Sequence, residues 1–258
     1  MKRSAPSVVV LAALALMMLE SANIPLRLGR YDGPSPASRW LAGGHGAVLF
    51  LPLADNDTLV MLDSLAHGRP VVNGDSGFVP RPFDRAQELF AYGVDEEGLR
   101  FLRAVGVTNV VWGANAEALS AKAAGVAGLA PAAVLGHERV DTVEPGPEAA
   151  MVAPGEPVST RWTAEGLVLT LVQPREISRV AFELSDAPWV DRPKVEASID
   201  GVSFEPVEAG ASLADATLSL YREPRHGRGE VRFAPRDAMF LRLDPALPAR
   251  PGALEVGP

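Results

Sequence analysis

The stretch "TRWTAEGLVLTLVQPREISRVAFEL", residues 160–184, decides the fold of the second half of the chain. Apolar and polar residues alternate in it over short segments, which predicts β-strands with one buried face. The pattern returns in "KVEASIDG", "GEVRFAP" and "AMFLRLDP", with turn residues between them. Regularly spaced short strands predict an all-β jelly-roll sandwich over residues 158–258, without a helix of useful length.

Three segments of this half resemble discoidin-like domains, also called coagulation-factor type-C domains. They are "TRWTAEGLVLTLVQPREISRVAFEL", "VEASIDGVSFEPV" and "FAPRDAMFLRL", in that order, over residues 159–243. The resemblance implies a galactose-binding-like jelly roll whose end loops bind sugars or lipids. We expect five aromatic side chains to supply the sandwich core: Trp162, Phe182, Phe204, Phe233 and Phe240.

Two segments, residues 185–193 and 221–230, are predicted to be exposed loops that carry aromatic and basic side chains. They contain the candidate glycan-binding residues of the sequence, Trp189, Tyr221, Arg222 and His226. These side chains could stack on a sugar or hydrogen-bond to it. The alternative is that both segments are ordinary solvated loops.

The first half predicts a different fold class. The apolar run "AVLFLPL" is typical of a strand buried on both faces, and "DEEGLRFLRAVGVTNVVW" predicts a helix followed by a strand. Helices that alternate with strands predict an α/β domain over residues 29–143 with a small, mainly parallel sheet. Residues 144–157, rich in Pro, Gly and Ala, are predicted to be a linker.

Residues 8–143 resemble the extracytoplasmic C-terminal region of bacterial multi-spanning membrane glycosyltransferases of the GT-C class. The segments that carry the resemblance are "MLDSLAHGRPVVNGDSGFVPRPF" and "EEGLRFLRAVGVTNVVW". The resemblance implies a link to enzymes that use polyprenyl-phosphate sugars. Their helical membrane domain, which carries the catalytic carboxylates, has no counterpart in this sequence.

The quartet Gly74-Asp75-Ser76-Gly77 matches the surroundings of the nucleophilic serine of trypsin-like proteases. Such a serine lies late in a two-barrel fold, well after its His and Asp, whereas only 75 residues precede Ser76. A turn shaped by the two glycines is one alternative. Another is a polar pocket that faces the sugar-phosphate site of a membrane enzyme, formed by Asp63, His67, Arg69, Asn73 and Asp75.

The N-terminus combines Lys2 and Arg3 with an apolar run over residues 8–19. As a helix this run covers about 18 Å, against roughly 30 Å for the hydrocarbon core of a bilayer. A signal peptide, a membrane anchor over residues 1–28 and a buried core helix all remain open. The first two place the rest of the chain outside the cytoplasm.

Composition narrows the function classes. The chain of 258 residues has a net charge of −8 and no cysteine, which excludes a thiolate metal site and argues against binding of nucleic acid. No metal-ligand or cofactor motif occurs, so we predict no cofactor and no catalytic residue.

The leading hypothesis is a membrane-anchored, extracytoplasmic accessory protein, periplasmic or at the cell surface, that binds glycan or a partner glycosyltransferase. The alternatives are a glycosyltransferase subunit that needs a separate membrane domain, and a secreted hydrolase that uses Ser76.

Overall fold

The computed structural model describes residue 16 and residues 31–55, 57–74, 80–243 and 247–258, with only the backbone of residues 250–253. The chain divides into two units, Met1–Gly33 and Pro34–Pro258, and both sheets belong to the second. The predicted hydrophobic helix over residues 1–28 lies outside the described residues, apart from residue 16. Within the described ranges, every helix is too short or too polar to cross a membrane.

The first half of the second unit alternates helices with strands. Its elements are α1 (Pro36–Leu41), β1 (Ala47–Leu51), α2 (Asp57–His67), α3 (Arg81–Phe90), α4 (Glu96–Ala104), β2 (Val107–Trp112), α5 (Glu117–Ala123), β3 (Leu129–Leu135) and β4 (Glu138–Val143). Local chemistry fixes their ends. The Asp95 side chain accepts a hydrogen bond from the Gly98 N–H at 2.8 Å and so caps α4.

The strands of this half form a sheet in the order β1-β2-β4-β3. Among the described strands only β1 and β2 pair in parallel, while β4 is antiparallel to both its neighbours. The prediction of a mainly parallel sheet is therefore wrong. The reason is the turn between β3 and β4, where Gly136 has a φ of 68°. Glycine enters this left-handed region readily, so the chain reverses tightly and the two strands must run antiparallel.

The second half is a curled antiparallel sheet with one helix. Its elements are β5 (Glu156–Pro157), β6 (Ser159–Thr163), β7 (Gly166–Leu184), β8 (Val195–Ser198), β9 (Glu205–Val207), β10 (Ala209–Ala211), α6 (Leu213–Arg222), β11 (Arg228–Leu243) and β12 (Ala249–Gly257). The long strands β7 and β11 pair along most of their length, and β11 has two register shifts. Such irregularities bend a strand, which lets the sheet close around a core as in a β-sandwich.

The sandwich core is more aliphatic than the sequence predicted. Phe182 and Phe233 are buried in it, beside Leu, Val and Ile side chains of β7 and β11. Trp162 is 52% exposed, because it lies on β6, which pairs only with β7 among the described strands. Phe204 and Phe240 are half-buried, and the Arg242 guanidinium lies 4.4 Å from the Phe204 ring centre. Three of the five predicted core aromatics are thus peripheral.

The expectation that the second half has no useful helix is wrong, because α6 lies between the two halves. The Ser212 hydroxyl caps it by accepting a hydrogen bond from the Asp215 N–H at 3.1 Å. Every residue of α6 up to Leu220 is buried. Leu218 packs into the core of the first half and Leu220 into that of the sandwich.

The segment predicted as a linker, residues 144–157, is held by both halves. The Ala149 N–H donates to the Arg100 carbonyl at 3.0 Å, and the Ala150 N–H donates to Asp215 Oδ1 at 3.0 Å. Ala149 and Val152 are buried. The boundaries of separate domains remain a prediction.

Helix α3 ties the first half to the sandwich through backbone groups of the segment after β7. Arg85 donates to the carbonyls of Ser185 and Ala187, and Glu88 accepts from the Trp189 N–H at 3.0 Å. Arg81 donates to the Leu184 carbonyl at 2.8 Å. Four backbone groups of residues 184–189 therefore find their partners on α3.

Replacing Arg85 tests how much the contact between α3 and the segment after β7 contributes to stability. Arg85→Met keeps the aliphatic stem but leaves the Ser185 and Ala187 carbonyls without their donor. We expect the free energy of unfolding in urea to fall by about 2–4 kcal/mol. The matched change at an exposed arginine, Arg161→Met, should shift it by less than about 0.5 kcal/mol. If the two changes lowered the free energy of unfolding by the same amount, the hydrogen bonds of Arg85 would add nothing to stability.

Candidate functional site

The predicted polar pocket is the inner side of helix α2. Asp63 is buried there, and its Oδ2 accepts hydrogen bonds from the Ser38 hydroxyl at 2.7 Å and from the Ser35 N–H at 2.9 Å. Both serines belong to the start of α1, where Ser35 also caps the helix. The carboxylate of Asp63 therefore fastens α1 to α2.

Asn73 has the same kind of task on strand β1. Its Oδ1 accepts from the Phe50 N–H and its Nδ2 donates to the Phe50 carbonyl, both at 2.8 Å. The Nδ2 also donates to Asp57 Oδ1 at 2.8 Å. The side chain thus continues the sheet edge beside β1 and holds the first turn of α2 against it.

His67 and Arg69 complete this buried set. The Arg69 N–H donates to His67 Nδ1 at 3.1 Å, and the imidazole stacks on Phe50 with ring centres 6.2 Å apart. The Arg69 guanidinium donates to Thr108 Oγ1 at 2.6 Å and to Asn109 Oδ1 at 2.9 Å. It therefore links the end of α2 to strand β2.

The structure brings Asp63, His67, Arg69 and Asn73 together, but as internal partners of the fold. All four are buried, and the hydrogen bonds of Asp63, Arg69 and Asn73 go to neighbouring elements. Asp75 and Ser76 lie outside the described residues, so the hypothesis of a Ser76 nucleophile remains a prediction. The four described side chains are at most 7% exposed.

The aromatic glycan-binding candidates lie where the two halves pack against each other. Trp189 is half-buried, contacts both cores and stacks on Phe182 with ring centres 6.5 Å apart. Tyr221 belongs to α6, so the predicted loop over residues 221–230 starts later than expected. Its ring packs edge-on against Phe101 at 5.2 Å, and burial raises the pKa of its hydroxyl to about 12. The role of these rings in sugar binding remains a prediction, and their visible contacts are structural.

The two basic candidates are exposed. Arg222 ends α6, and the His226 side chain is 72% exposed with its Nδ1 3.8 Å from Glu183 Oε1. Neither is placed beside an exposed aromatic ring among the four candidates. The two rings of this set are thus half-buried, whereas its two basic side chains are exposed.

A groove that contains none of the predicted site residues lies at the edge of the sandwich. It has a volume of about 590 Å³ between the chain entering β8 and strands β9 and β10. The Ala211 N–H donates to the Asp191 carbonyl at 2.8 Å and ties its two walls together. Charged side chains on its rim are Asp191, Arg192, Lys194, Glu196 and Glu208, and apolar lining residues include Pro193, Val195, Val207 and Ala209.

Most of these charges are not used by the fold. Glu196 pairs with Arg242, whereas the side chains of Asp191, Arg192, Lys194 and Glu208 make no hydrogen bond or ion pair with any other described residue. The groove therefore offers free donors and free acceptors above an apolar floor. A sequence signal existed in the dense charges of "DRPKVE", but only the fold brings Glu208 opposite them.

Metal chemistry has no visible basis in the parts of the chain that the structure covers. No group of three or more His, Asp or Glu side chains there is arranged to hold an ion. The prediction of no metal and no cofactor stays a prediction.

Comparison with known proteins does not assign a family. A scan of protein-family models gave no match. A sequence search of curated proteins gave none either.

Solved structures give partial likenesses. One is a protein assigned as an alpha-L-fucosidase from Bacteroides ovatus ATCC 8483, with 18% identity, 46% of this chain, 22% of that chain and a TM-score of 0.29. Another is CpGH89CBM32-5 from Clostridium perfringens in complex with GalNAc-β-1,3-galactose, with 18% identity, 36% of this chain, 64% of that chain and a TM-score of 0.25. A pectin-binding carbohydrate-binding module has 17% identity over 36% of this chain and 63% of that chain, with a TM-score of 0.22.

This chain spans less than two thirds of the length of each of these three proteins, and 22% of the first. At such TM-scores the likenesses carry no argument about function. The case for a function therefore depends on the residues of this chain.

Asn73→Ala tests whether the polar set is structural. It removes three hydrogen bonds and leaves both backbone groups of Phe50 unpaired, so we expect a loss of about 2–4 kcal/mol in the free energy of unfolding. The exposed Asn115→Ala provides the control and should change stability by less than about 0.5 kcal/mol. A stable Asn73→Ala protein would contradict the structural role.

The buried imidazole predicts a dependence of stability on pH. Burial, together with the charge of Arg69, lowers the pKa of His67 from its ordinary value of 6.5, while Asp63 acts in the opposite direction. The unfolded chain then binds the proton at a higher pH than the folded chain. Stability should therefore fall as pH drops below about 7, until the folded pKa is passed.

His67→Gln should flatten this fall in denaturant unfolding measured between about pH 7 and pH 5. The exposed His45→Gln is the matched control and should keep the wild-type slope. Identical slopes in all three proteins would show that His67 does not titrate differently on unfolding.

Proposed function

We propose that the sandwich is a non-catalytic glycan-binding module. The observation that carries the proposal is the groove of about 590 Å³ whose side chains Asp191, Arg192, Lys194 and Glu208 have no partner among the described residues. Sugar hydroxyls both donate and accept hydrogen bonds, so they need both kinds of partner. The apolar floor suits the C–H faces of a sugar ring. The resemblance of residues 159–243 to discoidin-like domains supports the same class of ligand.

We further propose that the chain works outside the cytoplasm, attached to a membrane beside a glycosyltransferase. The sequence of residues 1–28 and the resemblance of residues 8–143 support this step. A catalytic glycosyltransferase subunit is less well supported, because the side chains expected to face its sugar-phosphate site are bound inside the fold.

Glycan-array binding of the full chain, followed by calorimetry on the best glycan, tests the proposal. Asp191→Ala/Lys194→Ala removes one free acceptor and one free donor from the groove. Since a hydrogen bond to a charged group contributes about 1.5–3 kcal/mol, we expect affinity to fall by at least about tenfold.

Arg161→Ala/Glu165→Ala removes one positive and one negative charge from the exposed hairpin of β6 and β7 and is the control, with unchanged affinity expected. Binding to no glycan, or an equal loss in both double variants, would contradict the proposal.

A further inference from the structure

The amphipathic arrangement of helix α2 is the reverse of the usual one. Its ionisable side chains Asp57, Asp63 and His67 face the protein and are 4%, 7% and 5% exposed. Its large apolar side chains face outward, with Leu65 79% exposed. These side chains, here called the α2 face, are Leu59, Met61, Leu62 and Leu65.

Hydrogen bonds fix this orientation. Asp57 accepts from Asn73, and Asp63 accepts from the Ser38 hydroxyl and the Ser35 N–H. A rotation of α2 that buried the leucines would break these hydrogen bonds and move the polar groups to the surface. It would therefore not stabilise the protein. The α2 face is therefore fixed on the outside of the protein. A surface helix of a soluble protein ordinarily has the opposite pattern, with its apolar side buried.

The chemistry of the α2 face favours lipid as the occupant. No exposed residue of α2 is ionisable, so covering it with hydrocarbon desolvates no charge. Helix α1, which packs on α2, exposes Trp40 at 44%. Trp is a residue that membrane interfaces favour.

The course of the chain supports the same occupant. The second unit begins at Pro34, and the next residue is already held against α2 through the Ser35 N–H and Asp63. The apolar run over residues 8–19 precedes this point by a length of chain that can span at most about 50 Å. A membrane segment there would keep the α2 face within reach of the bilayer surface.

We propose that the α2 face, with Trp40, lies in the interfacial layer of a lipid bilayer. The inference rests on the membrane attachment in the proposed function and is independent of the glycan groove. It gives the protein a fixed side toward the membrane. An apolar helix face in this layer gains stability by burying its area among the acyl chains.

The absence of cysteine allows a direct test, because an introduced cysteine is unique. The full chain carrying Leu65→Cys is labelled with an environment-sensitive nitrobenzoxadiazole fluorophore and mixed with phosphatidylcholine vesicles. We expect its emission to shift to the blue and to be quenched by nitroxide-bearing lipid. Val172→Cys, at a side chain on β7 that is 99% exposed, is the matched control and should show neither effect.

Three results would overturn the inference, and flotation of the vesicles separates them. A chain that floats while the label at position 65 stays in water leaves membrane attachment intact but removes the α2 face from the membrane. A label at position 65 that is already shielded without lipid indicates a second copy or another protein on the α2 face. A chain that does not float overturns both attachment and the lipid contact, whereas glycan binding is unaffected in every case.

Discussion

The fold depends on one helix that belongs to two cores. Helix α6 sends Leu218 into the α/β half and Leu220 into the sandwich, so neither core is complete without it. Arg85 reinforces this contact by satisfying carbonyl groups that follow β7. Apolar burial and backbone hydrogen bonding thus both occur where the two halves meet. The two halves therefore form one body, and each half orients the other.

This arrangement separates polar groups that build the fold from polar groups that remain free. Asp63 and Asn73 are bound inside the α/β half, where they also force the leucines of α2 outward. Asp191 and Lys194, on the rim of the sandwich groove, have no side-chain partner among the described residues. Recognition is therefore expected where charge is unpaired, and the buried set supplies rigidity.

The sequence predicts elements whose signals are local. The apolar run at β1 produces a strand, the segment from residue 95 produces a helix and a strand, and the alternation over residues 160–184 produces β6 and the long β7. Helix α6 was not expected, although Ser212 is a good cap, because two cores bury opposite sides of it and leave no polar stripe to mark a helix. The partners of Arg69 and the position of Glu208 across the groove from Asp191 could not be foreseen either, since contact between distant segments leaves no spacing signal.

The proposed function is recognition of glycan through the groove between β8 and β10, without chemistry on the glycan. Backbone amide chemical shifts, followed while the full chain is titrated with its best array glycan, test it most directly. We expect saturable shifts concentrated in residues 191–196 and 206–211, with the glycan recovered unchanged. Shifts centred on residues 222–226, or cleavage of the glycan during the titration, would contradict it.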